Sequence, residues 1–346
     1  MTRSRDVADS QDNLGGAVAP VVSGKNFIIN GGYDIFQRST FNSQTGSAYA
    51  LDRWYSGVGG TVTITQQTTG APAGSQYCMR IAYNTASSFA NQFQALESAN
   101  ASLLAGKTVT ATVLVRANAT WAATASQGLN FFVEKNSTAN TLTGGSWTSI
   151  ASTIVTGAAI ATGTGSTNWT KLTITCAIPN DGTAAGVRLR IGESVVGPSG
   201  AYWEMAQCQL EIGAVATPFS RAGVSIGGEL ALCQRYYETS YDIGTAAATA
   251  TATGSYGFCV GTNTAAATYF TYAPIYKVTK RTTPTITLYD LVGNSGKVTK
   301  VSAVDLSLTD NQTGTADRIG QSEFRIYSAL GTAGGFYGHF VANAEL

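Results

Sequence analysis

The sequence predicts an all-β protein: a jelly-roll β-sandwich followed by a smaller C-terminal β-sandwich, behind an extended N-terminal arm. Three observations lead there. Short runs alternate apolar with hydroxyl-bearing residues, as in Thr61-Val-Thr-Ile-Thr-Gln66, and a period of two buries one strand face while wetting the other. Turn-forming Gly is abundant at 39, whereas Pro, which interrupts β-pairing, stands at 7. Charged residues make up 12 % of 346, about half the usual share of roughly 25 %. Polarity therefore comes from hydroxyls and amides, which argues against a helical bundle or a disordered chain.

Residues 1–23 carry Arg3, Arg5, Asp6 and Asp9, then Asn13-Leu14-Gly-Gly16, with no sustained period. Such a segment cannot bury enough surface to fold alone, so it is a tail or an arm ordered by a partner. From Asn26 strands are expected at Phe27–Asn30, Thr61–Gln66, Thr108–Val115, Lys171–Thr175, Val187–Ile191 and Tyr202–Ile212. These belong to a jelly roll over 24–222. On the last run Ala206, Cys208, Leu210 and Ile212 share one parity and are assigned to the core. Glu229–Tyr237 places Leu230, Cys233 and Tyr237 at helical spacing, predicting a short helix as a hinge. The repetitive Thr245–Thr253 reads as a loop or weak strand. Strands resume at 256–260, 268–272, 285–289, 297–301, 323–327 and 335–341, giving the second sandwich over 223–346.

Composition removes several functions. A net charge of +1 without a basic stripe disfavours nucleic acid. The single histidine, His339, forbids a two-His zinc site within one chain, and any Ser–His–Asp triad would have to use it. The five cysteines form no C-x-x-C; reduced core residues are the main expectation, with a disulfide left open. Neither an apolar signal core nor a run of about 18 apolar residues is present, so a soluble protein made in a cytoplasm is expected, without membrane insertion.

Asn26-Phe-Ile-Ile-Asn-Gly-Gly-Tyr-Asp-Ile-Phe-Gln-Arg38 and Leu51-Asp-Arg-Trp54 resemble the opening of bacteriophage virion proteins, typically tail fibres, that carry a carbohydrate-binding-module-like jelly roll. Trp203–Phe219, with Gln209-Leu-Glu-Ile-Gly213 and Ala216-Thr-Pro-Phe219, is similar to the closing strand of that module. Glu229–Tyr237, Arg281-Thr-Thr-Pro-Thr285 and Ala342-Asn-Ala-Glu-Leu346 resemble later segments of the same proteins, in the same order. The resemblance implies a non-enzymatic virion fibre subunit, often a homotrimer, that binds host-surface polysaccharide. The arm, with Arg3, Arg5, Asp6 and Leu14, would be its attachment end toward other virion proteins. The alternative is a capsid decoration (head fibre) protein with a mainly structural role.

Glycan binding needs exposed aromatic faces beside amides and carboxylates. The candidates are Trp121, Trp147 and Trp169, which lie in or beside polar runs, whereas Trp54 and Trp203 are assigned to the core. Tyr236-Tyr237, Tyr269-Phe-Thr-Tyr272 and Phe336-Tyr337 fit a subunit interface or a receptor surface. Glu204 and Glu211, seven apart on one strand, fall on opposite faces and cannot pair as glycosidase carboxylates. Asp52 or Glu229 are conceivable partners that nothing in the sequence favours. No calcium-loop motif is present, no cofactor or metal is expected, no catalytic residue is assigned, and His339 is read as a packed or interface residue.

Overall fold

The computed structural model describes residues 25–38, 41–86, 88–124, 128–193, 196–259, 269–302, 304–329 and 333–346. The arm, with Arg3, Arg5, Asp6 and Leu14, lies outside the described residues, as does the side chain of Cys259. The protein is all-β. Its first part consists of β1 (Phe41–Thr45), β2 (Ala48–Leu51), β3 (Trp54–Gly59), β4 (Thr61–Gln67), β5 (Cys78–Tyr83), β6 (Phe89–Ala95), β7 (Thr108–Ala117), β8 (Gly128–Asn136), β9 (Thr148–Thr156), β10 (Thr170–Ala177), β11 (Gly186–Glu193) and β12 (Tyr202–Ile212).

These strands form two six-stranded antiparallel sheets, ordered β1-β4-β5-β12-β7-β10 and β2-β3-β6-β11-β8-β9. From β5 onward the chain passes back and forth between the sheets, the crossing pattern of a jelly roll. The alternation in sequence sets the packing. Val109, Ala111, Val113 and Val115 of β7 face Val187, Leu189 and Ile191 of β11 in one core, closed by Trp54, Trp121 and Trp203.

Local irregularities change three expectations. Phe27–Asn30 is not a strand: Asn30 and Tyr33 take positive φ (56° and 59°), and the segment clips onto β12 through Phe27 N–H to Leu210 O (2.9 Å). β12 carries a bulge between Ala206 and Gln209, with Gln207 at φ 52°. A bulge adds one residue to one strand and flips the parity beyond it. Trp203 and Met205 before it, and Cys208 and Leu210 after it, therefore all reach the core. Ala206 is buried outside that core, and Ile212 is exposed. Glu204 and Glu211 consequently share the outer face, opposite Arg116 and Thr110 of β7, a correction to the simple parity reading.

The predicted helix is found at Ile226–Gln234, capped by Ser225, whose side chain accepts from Gly228 N–H (3.1 Å). It ends before Tyr237 because Tyr237–Thr239 pairs as β13. Then follow β14 (Tyr256–Cys259), β15 (Tyr269–Tyr272), β16 (Thr285–Tyr289), β17 (Lys297–Ser302), β18 (Leu308–Thr313), β19 (Thr315–Asp317), β20 (Arg325–Ala329) and β21 (Ala333–Asn343). The eleven-residue β21 is the spine: its two halves pair with β14 and β17, then with β13 and β16. A separate aromatic core of Tyr256, Tyr276, Phe324, Phe336 and Phe340 fills this part. Thr245–Thr253 forms no strand.

The two parts meet through buried charge. Glu345 pairs with Arg38 (2.8 Å) and with Arg53, and Arg53 lies 3.5 Å above the Tyr236 ring. Arg38 in turn lies 3.7 Å above Tyr237. Tyr236, Tyr237 and Phe336 are thus buried, not a surface patch. Cys78, Cys176, Cys208 and Cys233 are free thiols.

Candidate functional site

The outer face of the second sheet follows from the parity of its strands. Because Trp54, Ser56 and Val58 of β3 point inward, Tyr55, Gly57 and Gly59 point out. On β6 the outward set is Phe89, Asn91 and Phe93; on β11 it includes Arg188 and Arg190. The register then aligns Tyr49, Tyr55, Phe93, Arg190, Phe132 and Ser152, one residue from each of the six strands. At a strand spacing of about 4.8 Å this row spans about 24 Å, enough for several sugar rings end to end.

The row is built and held. Tyr49 and Tyr55 meet edge to face at 5.2 Å, and Tyr55 and Phe93 lie 6.4 Å apart. Arg190 stacks 3.7 Å over the Phe132 ring. Its Nε donates to Glu134 Oε1 (2.9 Å), and its Nη1 to Asn91 Oδ1 (3.3 Å). Glu134 Oε2 takes Nε of Arg188 (2.6 Å), whose guanidinium is sandwiched between Phe93 (4.6 Å) and Trp147 (4.2 Å).

Glycines let the rings lie flat. A Cβ on Gly57 would come 2.8 Å from the Phe93 ring, and one on Gly59 would strike Phe89. A parallel row of Gly57, Asn91, Gly192, Asn130 and Ile154 supplies two amides beside the aromatic one. Tyr55, Phe93, Arg190 and Phe132 are half-buried, so each ring keeps an accessible surface. Aromatic faces next to amides and guanidinium donors match the two halves of a sugar, its apolar ring face and its hydroxyls.

The three expected tryptophans are not brought together. Trp121 is fully buried, with Nε1 donating to Glu193 Oε1 (2.7 Å), so its ring has no face for stacking. Its polar context comes from the one-turn helix Ala119–Ala122, capped by Asn118, which swings the ring inward. Trp169 precedes β10 and packs against the opposite sheet, its ring centroid 4.4 Å from the Arg116 guanidinium. Trp147 alone borders the row. Trp54 and Trp203 are core residues, as their sequence context suggests.

The carboxylates considered for hydrolysis are all engaged. Glu204 is fully buried between Arg80 (2.6 Å) and Arg116. Asp52 accepts from Gln37 N–H (2.7 Å) and Nε2 (2.6 Å), and burial pushes its pKa up to about 6. Glu229 accepts from the backbone of Asn30 and Gly223. Glu211 accepts from Thr217, both backbone (2.8 Å) and hydroxyl (2.6 Å). His339 is buried and stacked on Tyr241 at 3.9 Å, with Nε2 3.0 Å from Thr251 O. Among the described residues no group of three His, Cys, Asp or Glu side chains is placed to hold a metal. A groove of about 290 Å³ on the other sheet, lined by Thr112, Leu114, Lys171, Gln207 and Phe219, offers one aromatic ring only. No described helix is long and apolar enough to cross a membrane.

No protein-family model matches the chain, and no curated protein matches it by sequence. Among solved structures it is similar to the enzymatically active domain of bacteriophage CBA120 tailspike protein 4, at 12 % identity and a TM-score of 0.35; the match covers 55 % of this chain and 22 % of that one. A family 61 carbohydrate-binding module in complex with beta-1,4-galactotriose matches at 12 % identity and TM-score 0.34, over 54 % of this chain and 99 % of the module. The tandem CBM22-1–CBM22-2 domain of Paenibacillus barcinonensis Xyn10C matches at 12 % identity and TM-score 0.30, over 90 % and 92 %.

Proposed function

We propose that this chain is a non-enzymatic glycan-binding protein, working as a fibre subunit on the surface of a bacteriophage particle. The observation that supports glycan binding is the aligned row Tyr55–Phe93–Arg190–Phe132 with Asn91 and Asn130 beside it. Recognition is by stacking and hydrogen bonding along the outer face of the second sheet. The engagement of Glu204, Glu211, Asp52 and Glu229 in internal pairs supports the absence of hydrolysis. The phage setting, the homotrimeric state and attachment through the arm rest on the resemblance of Asn26–Arg38, Trp203–Phe219 and the later segments to fibre proteins.

Native affinity electrophoresis against a panel of soluble polysaccharides tests this reading. The full chain is expected to be retarded by at least one polymer, and F93A/F132A to migrate freely with an unchanged melting temperature. If the folded chain is retarded by none, glycan binding fails and the capsid-decoration role becomes the better account. Release of reducing sugar from any polymer would contradict the non-enzymatic assignment.

A further inference from the structure

The sheet face also carries a charge that a neutral-sugar platform does not need. Three ionic side chains sit together at its centre: Arg188, Arg190 and Glu134. One carboxylate is shared between two guanidiniums, each through its Nε, at 2.6 and 2.9 Å. The sum is one positive charge left over in the middle of the aromatic row.

The two arginines are not equivalent. Arg188 is buried between Phe93 and Trp147, and its Nη1 is spent on Leu142 O (2.6 Å). Arg190 keeps 23 % of its side chain exposed. Its Nε and Nη1 have partners, whereas Nη2 has none among the described residues. Its guanidinium plane is fixed against Phe132 and its azimuth by Glu134 and Asn91. A pre-oriented guanidinium with a free outward donor is the side chain best suited to a carboxylate, because little rotamer freedom is lost on binding.

We infer that the platform selects acidic polysaccharides, with a sugar carboxylate seated on Arg190 Nη2 while the neighbouring rings stack on Phe93 and Phe132. This rests on the glycan-binding reading and narrows it to polymers bearing uronate-type carboxylates. Glu134 has a positioning role: it aims Arg190 and neutralises Arg188.

The test compares polygalacturonate with its fully methyl-esterified form, which keeps the ring faces and removes the charge. Native affinity electrophoresis is run on the full chain, R190Q and F93A/F132A, at low salt and at about 0.5 M NaCl. Wild-type protein is expected to bind the acid at least tenfold more tightly than the ester. R190Q should lose that preference, binding acid and ester with equal affinity, and salt should erase the preference in wild type, since exposed ion pairs are screened at that strength. Equal wild-type affinity for acid and ester, or a preference intact in R190Q, overturns the selection while leaving the platform standing. Binding to neither polymer, nor to any in a wider neutral panel, overturns both. Unchanged melting of R190Q and F93A/F132A shows that any loss is local.

Discussion

Glu193 gives the sharpest quantitative expectation. It ends β11 with its carboxyl turned into the first core, where Tyr83 Oη and Trp121 Nε1 donate to Oε1 and Oε2 has no partner among the described residues. Burial pushes its pKa from the ordinary 4.5 up to about 7, outweighing those hydrogen bonds. A carboxyl whose pKa is raised on folding favours the fold only while protonated. Its contribution is complete below about pH 4.5 and lost as pH rises through about 7. At about 1.36 kcal/mol per pH unit the full loss is about 3 kcal/mol, most of which falls between pH 5 and pH 8. Asp52, raised to about 6 by burial, acts in the same sense over a lower window and contributes less in that range. Glu97, Glu211 and Asp290 are held below the usual carboxylate range by hydrogen bonds and ion pairs, so their stabilisation is lost only toward more acid pH. Urea unfolding at pH 5 and pH 8 should therefore show E193Q losing less stability, or gaining more, than wild-type protein as the pH is raised. An E193Q variant with the wild-type pH dependence would refute the reasoning.

Three further outcomes follow from the packing. Trp121→Ala should cost about 3–5 kcal/mol in urea unfolding, as a buried aromatic in a close-packed core, while the fraction that stays folded binds glycan as wild type does. Gly57→Ala should push the Phe93 ring off its seat, since the new Cβ lies 2.8 Å from it; glycan affinity in electrophoresis should fall severalfold with melting nearly unchanged. Glu345→Ala strands Arg53, which is 2 % exposed, without its carboxylate. A loss of about 3–5 kcal/mol is expected, with faster proteolysis between the two parts of the chain.

The fold was legible where one face of a strand is dry and the other wet. Thr108–Val115 and Val187–Ile191 show their inward residues at every second position, and those residues are the core. Features that depend on a single backbone angle were not. The bulge at Gln207 puts Glu204 and Glu211 on one face although seven residues separate them, and the turn at Asn30 replaces an expected strand. Trp121 was misread as exposed for a related reason. Trp121 stands in a polar run because a capped helical turn surrounds it, not because its ring is wet. The signal that was there is the period of two in Phe89-Ala-Asn-Gln-Phe93 together with Gly57 and Gly59, a pattern in which rings lie over glycines across a strand pair. Only the register, which brings Tyr55, Phe93, Arg190 and Phe132 level, turns those residues into one surface.

A crystal structure of the full chain with an oligosaccharide of whichever polymer retards it tests the central claim most directly. The account predicts sugar rings stacked on Phe93 and Phe132, with hydroxyls on Asn91 or Asn130. Sugar bound in the groove over Thr112, Lys171 and Phe219, on the opposite sheet, would contradict it.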